Sequence, residues 1–122
     1  MGTIVSFEEF EVWKTAREVT RRIYALTRRA RFAGDFGLKD QICRASVSIL
    51  SNIAEGYEGS TRSVFLRHLG IAKGSAGEVR AQLYVALDQG YITEPEFVSL
   101  IDLTRKASSQ LASLIRYLKS RP

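Results

Sequence analysis

Apolar residues recur every three or four positions through four successive segments, a period that belongs to helices rather than strands. The first run is Val12, Ala16, Val19, Ile23, Leu26 and Ala30. Ser6 and Glu9 precede it as an S-x-x-E capping box, so a helix is predicted over about 7–31. The glycines of RFAGDFG then mark a turn. Leu38, Ile42, Ala45, Ile49, Ile53 and Gly56 share one side of a second helix, about 38–57, which the EGYEGS turn closes. Phe65, Leu69, Ala72, Ala76, Val79, Leu83 and Ala86 set a third, about 61–89, with Gly90 as its C-cap. Thr93, Pro95 and Glu96 open a fourth, about 94–119, whose seam is Phe97, Ile101, Thr104, Ser108, Leu111, Ile115 and Leu118. No stretch alternates with period two. Pro122 is terminal, so no proline interrupts an element. Four such segments with short joins predict an all-α protein, an antiparallel up-down-up-down four-helix bundle, with residues 1–122 forming a single domain.

Two features depart from a plain bundle. On a wheel of about 100° per residue, Gln41, Arg44, Ser48, Asn52 and Glu55 of the second helix fall within roughly 80°. Apolar or small side chains fill most of the remainder, more than one seam requires, so this helix is expected to be enclosed on nearly every side, either at the centre of its monomer or under a second subunit. Ser and Asn are poor helix formers, and their alignment suggests a hydrogen-bonded network ending at Arg44 and Glu55, with Glu78 of the third helix as a further partner. A polar layer that fixes helix register or subunit contact is one reading of this stripe. A binding or catalytic cleft is the other. The second feature is the trio Gly70, Gly74 and Gly77, each costing up to about 1 kcal/mol inside a helix. Close helix approach would explain them, with Gly70, Ala76 and Gly77 making room for Trp13 or Tyr57. The surrounding LGIAKGSAGEV fits neither a P-loop nor a dinucleotide fingerprint.

Catalytic parts are missing from this pattern. His68, the sole histidine, stands beside Arg67 and away from the stripe, and no E-x-x-H pair supports a di-iron bundle site. Cys43 lies on the apolar side without a histidine at a readable spacing, which disfavours a nucleophile or a zinc ligand. The expectation is therefore a protein that is not an enzyme and holds no metal or cofactor.

Charge adds a direction. The chain has 18 Lys and Arg against 13 Asp and Glu, a net +5, with a sequence pI near 9.7. That balance favours polyanionic partners, RNA or DNA above all. Lys14, Arg17, Arg21 and Arg28 share an arc of about 60° on the first helix. Arg105, Arg116, Lys119 and Arg121 form a second basic cluster on the fourth. Tyr24 and Tyr91 are not interleaved with these charges in a recognisable RNA-binding motif, so phosphate contacts without strong sequence preference are expected. One cysteine suits a reducing compartment, no segment is long and apolar enough for the membrane, and Gly2 opens no convincing myristoylation motif. A cytoplasmic location is expected.

The run FGLKDQICRASVSILSNIAEG at 36–56 closely resembles the signature of the 23S rRNA intervening-sequence proteins, also called the S23 or four-helix-bundle protein family. FEEFEVWKTAREVTRRIYALT resembles the start of that family and IAKGSAGEVRAQL its third-helix motif, so the resemblance spans most of the chain and is weakest in the fourth helix. Cys43 and Leu50 stand where members commonly have Arg and Pro. The resemblance implies a small cytoplasmic bacterial protein that assembles into a ring-like homopentamer. Related bundles serve as accessory proteins of retroelement reverse transcriptases, which makes a protein-interaction module without nucleic-acid binding the alternative. The motif positions correspond to Gln41, Arg44, Ser48, Asn52, Glu55, Gly56, Gly74, Ser75 and Glu78, none an established catalytic group.

Overall fold

The computed structural model describes residues 3–121; Gly2 and Pro122, considered above, lie outside them. Within these residues are a 3-10 turn (Phe7–Glu9), four long helices and one short one: α1 (Glu11–Thr27), α2 (Ala30–Gly34), α3 (Phe36–Glu58), α4 (Arg62–Asp88) and α5 (Glu94–Lys119). The expected first helix is therefore divided. Ser6 does pair with Glu9, its backbone N–H and hydroxyl donating to that carboxylate over 2.9 and 3.3 Å. The turn they cap ends at Phe10, whose extended backbone (φ −67°, ψ 132°) separates it from α1. Thr27 closes α1, and α2 begins at Ala30, which is exposed rather than part of the seam.

Each long helix packs on two neighbours, α1 on α3 and α5, and α4 on α3 and α5. Chain directions follow from paired residues. Arg22 meets Ser99 and Arg29 meets Glu96, so α1 and α5 run antiparallel. Thr20 with Ser46 and Thr27 with Cys43 set α1 against α3 in the same sense. Ser48 with Ser75 and Asn52 with His68 do so for α3 and α4, and Arg62 with Arg121 and Arg80 with Ser108 for α4 and α5. The four-helix bundle expected from the periodicity is present.

The core repeats the four seams. Ala16, Val19, Ile23, Ile42, Ile49, Ile53, Leu69, Val79, Leu83 and Leu111 are all fully buried. Each of these valines, isoleucines and leucines contributes about 1.5–3 kcal/mol relative to exposure. The buried threonine and serine hydroxyls are satisfied, whereas Trp13 Nε1, Gln82 Oε1 and Gln110 Oε1 are buried without a partner among the described residues. Thr27, Ser46 and Thr104 bond back to the carbonyls of Tyr24, Cys43 and Leu100 over 3.0, 2.9 and 2.7 Å. The end of α4 is a Schellman arrangement. Tyr91 N–H donates to the Ala86 carbonyl and Gly90 N–H to that of Leu87, with Gly90 at φ 73°.

The start of α5 is tied to α1. Glu96 accepts from Thr93 N–H over 2.8 Å, closing the capping box, and grips the Arg29 guanidinium through both oxygens. The Arg29 bond first, then that from the Thr93 backbone, depress the Glu96 pKa from 4.5 to about 2. The depressed carboxylate contributes stability that is fully present above its unfolded value and lost as pH falls through the folded one. Acid titration of the folded protein should therefore show a loss of stability between about pH 4.5 and about 2 that Glu96→Gln largely removes. Equal acid sensitivity in the variant would contradict this.

Candidate nucleic-acid interface and the polar seam

The stripe on α3 divides once folded. Its middle joins α4: Ser48 and Ser75 share a hydroxyl hydrogen bond of 2.8 Å, and Asn52 Nδ2 donates to the Ser48 carbonyl and hydroxyl over 2.9 and 3.0 Å. Asn52 Oδ1 lies 2.9 Å from His68 Nδ1, and Glu55 approaches the same ring at 3.8 Å. His68 thus belongs to the stripe, contrary to the expectation that set it apart. Below it Gly56 is buried against α4, where an added Cβ would stand 2.7 Å from His68 Cβ and 3.0 Å from Phe65 Cδ1.

The ends of the stripe behave differently. Arg44 is exposed and paired with Asp40 one turn earlier, its Nε 3.0 Å from each carboxylate oxygen. Gln41, Glu55 and Glu78 are exposed as well. Among the described residues Glu78 forms no ion pair or side-chain hydrogen bond, so the proposed link to the stripe is absent. Nor is α3 enclosed on nearly every side in the single chain, because Phe36 is 78% and Val47 38% exposed. The wide apolar arc outruns what two neighbouring helices cover.

Donor and acceptor capacity fixes one further detail. Asn52 Nδ2 is occupied by Ser48, so its oxygen faces His68 and can only accept. His68 Nδ1 is then the donor, and the neutral ring carries its proton there, with Nε2 bare. Nitrogen-15 NMR of the neutral imidazole should show Nδ1 protonated. An Nε2-protonated ring would reverse the assigned amide.

The glycines of α4 do not serve the bundle. An added Cβ at Gly70, Gly74 or Gly77 would meet nothing within 4 Å, so no bulky neighbour such as Trp13 or Tyr57 fills their side. Ser75, by contrast, is buried beside Ser48.

All seven cations singled out in the sequence, Lys14, Arg17, Arg21, Arg28, Arg105, Arg116 and Lys119, are exposed. Lys14, Arg17 and Arg21 line one open concavity of α1 with Trp13, but Glu8 and Glu18 line it too. Lys14 lies 3.3 Å from Glu11, and Glu18 holds both Arg21 and Arg22. The Arg22 hydrogen bond keeps the Glu18 carboxyl below its usual range against burial, the second-largest effect, with the Arg21 charge adding to the lowering. Much of the α1 row is thereby compensated. On α5, Arg116 reaches only the Ser113 hydroxyl, at 3.2 Å. Arg121 of the same cluster donates to the Tyr117 hydroxyl over 3.0 Å and lies over its ring. Among the described residues no group of three or more His, Cys, Asp or Glu side chains is placed to hold a metal ion.

With this geometry, the sequence matches the family described as 23S rRNA-intervening sequence protein over residues 8–113. The chain belongs to that family. A solved structure from Bacteroides thetaiotaomicron, a protein with unknown function from the S23 ribosomal protein family, is similar at 26% identity. Its TM-score is 0.79, with 86% of this chain and 95% of that one covered. No curated protein matches. For this intervening-sequence family member, no helix among the described residues is long and apolar enough to cross a membrane.

Proposed function

We propose that this intervening-sequence family member is a non-enzymatic oligomeric scaffold that binds nucleic acid, RNA foremost, through exposed cations in the cytoplasm. The exposure of every cation picked out from the sequence, in a chain of net charge +5, carries this reading. Cations at a surface gain affinity for phosphates by releasing counterions, and a closed assembly repeats the same field around its axis. The family's description in terms of 23S rRNA agrees with such a ligand.

Exposed apolar side chains on both sides of the bundle support assembly. Tyr24, Phe36 and Val47 are exposed on α1 and α3, while Ile71, Tyr84, Val85 and Val98 are exposed on α4 and α5. These helix pairs form opposite sides of the bundle, and unlike apolar side chains exposed on opposite sides suit head-to-tail contacts that close a ring. A homopentamer is the proposed ring. The same side chains also favour the second reading, a protein-interaction module that needs no nucleic acid.

Light scattering combined with a filter-binding titration tests the scaffold. The expected result is a particle of five 13.7 kDa chains that retains RNA, with affinity falling as salt rises. A monomer would remove the ring. An assembled particle with no affinity for RNA or DNA would favour the interaction module.

A further inference from the structure

The acids of this chain are not spread evenly. Residues 59–77 and 103–121 contain no Asp or Glu at all. These stretches hold eight of the 18 cations: Arg62, Arg67, Lys73, Arg105, Lys106, Arg116, Lys119 and Arg121. The other ten cations share the rest of the chain with all 13 acids, leaving it at net −3. The whole positive excess therefore comes from two segments.

Folding puts the two segments side by side. The first is the beginning of α4 with the turn before it, and the second is most of α5. Because α4 and α5 run antiparallel, Arg62 at the start of one meets the end of the other, its guanidinium donating to the Arg121 carbonyl over 2.6 Å. Arg80 with Ser108, at 2.8 Å, marks where the acid-free region gives way to the rest. All eight cations are exposed. Arg62 aside, none of them is ion-paired with a carboxylate among the described residues, whereas α1 spends Lys14, Arg21 and Arg22 on Glu11 and Glu18. Carboxylates lie at the borders. Glu9 and Glu11 line the groove that Lys106 also lines, and Glu55 and Glu58 end α3.

We propose that the nucleic acid lies on this acid-free half of the α4–α5 surface, and not on the cationic row of α1. The inference rests on the nucleic-acid reading above and gives it a location. Its chemistry is that of a phosphodiester backbone. Lysines and arginines without carboxylate partners can each exchange a counterion for a phosphate, while a paired arginine must first give up its acid. Among the described residues of the two segments, Tyr117 pairs with Arg121, Phe65 packs on Phe10 and Tyr57, and His68 is bound to Asn52, so contacts to phosphate rather than base stacking set the affinity.

Matched neutralisations separate the two surfaces. One variant carries Arg67→Gln, Arg105→Gln, Arg116→Gln and Lys119→Gln; the other carries Lys14→Gln, Arg17→Gln, Arg21→Gln and Arg28→Gln. Both lose four charges, so a mere dependence on net charge would affect them alike. Probes are a 20-nucleotide RNA and DNA of the same sequence, titrated over salt, with circular dichroism confirming that each variant is folded. The α4–α5 variant should bind at least about tenfold more weakly with a flatter salt slope, and the α1 variant within about threefold of the parent. RNA and DNA should respond in parallel. An equal loss in both variants, or a larger one from α1, overturns the location while nucleic-acid binding stands. A parent chain that binds neither probe overturns the functional reading and this one together. Should a fourfold variant fail to fold, single Arg116→Gln and Lys119→Gln changes must each weaken binding measurably, and their silence would also overturn the location.

Discussion

Replacing Phe32 with alanine should destabilise the protein by about 3–5 kcal/mol, the range for emptying a buried phenylalanine site. Phe32 is 1% exposed and stacks on Tyr91 at 5.2 Å between ring centroids. It is the anchor of α2, a helix of five residues that has almost nothing else to hold it in place. Its neighbours make the site rigid. Tyr91 donates its hydroxyl to Asp35 over 3.0 Å, and the other Asp35 oxygen caps α3 through Leu38 N–H. Arg31 covers the Tyr91 ring from outside and donates to the Gln89 carbonyl. A cavity there cannot collapse without loosening the cap of α3 and the α4–α5 connection together, which places the cost toward the upper end. Natural domains have only about 5–15 kcal/mol in total, so the loss should be plain in urea denaturation. Phe36→Ala provides the contrast. Phe36 is 78% exposed, and its removal should change stability by no more than about 0.5 kcal/mol in the single chain. A loss below about 1 kcal/mol for Phe32→Ala would show that α2 does not clamp this end.

That same segment shows where sequence reasoning ran short. RFAGDFG has two glycines and reads as a turn, yet it contains a helical turn and a core aromatic. Five residues are too few to display a 3.6-residue period, so no periodic signal marks α2. The four long seams, in contrast, were legible because each repeats its spacing five or six times. The polar network was legible only in part. Spacing on one helix puts Ser48 and Asn52 on a line, but it does not give the rotation of α4 against α3, and so neither His68 nor the true place of Glu78. A signal for His68 did exist: it stands three residues after Phe65 and four before Ala72, flanking the seam. Its position next to Arg67 in the chain was the wrong distance to weigh. Arg44 went to Asp40 for a similar reason, since a partner one turn away on the same helix competes with any more distant one. The segregation of charge needed no structure to count, but it did need one to show that the two acid-free segments adjoin.

Gly56→Ala should cost about 1–3 kcal/mol, whereas alanine at Gly70 or Gly77 should stabilise the folded chain by up to about 1 kcal/mol. All of these positions lie inside helices, where alanine is intrinsically better than glycine, so propensity alone predicts a gain at each. Space reverses the sign at Gly56. The new methyl would stand 2.7 Å from His68 Cβ and 3.4 Å from Phe65 Cα, atoms attached to or part of the α4 backbone that no rotamer change can move aside. Helices α3 and α4 would have to separate, and that separation would stretch the 2.9 Å contact between Asn52 and His68. Chemical denaturation of the single variants reads both signs, and a stabilised Gly56→Ala would refute the close approach. At Gly70, Gly74 and Gly77 nothing lies within 4 Å, so the monomer gives no reason for three costly residues in a row of turns. Triple replacement by alanine therefore separates folding from assembly. If the open face of α4, which Arg67 and Lys73 flank, receives another chain in place of the nucleic acid assigned to it above, the variant should gain stability as a single chain while light scattering shows loss of the oligomer. If the oligomer persists undiminished, the subunit contact lies elsewhere, and the Tyr24, Phe36 and Val47 side becomes the better place to seek it.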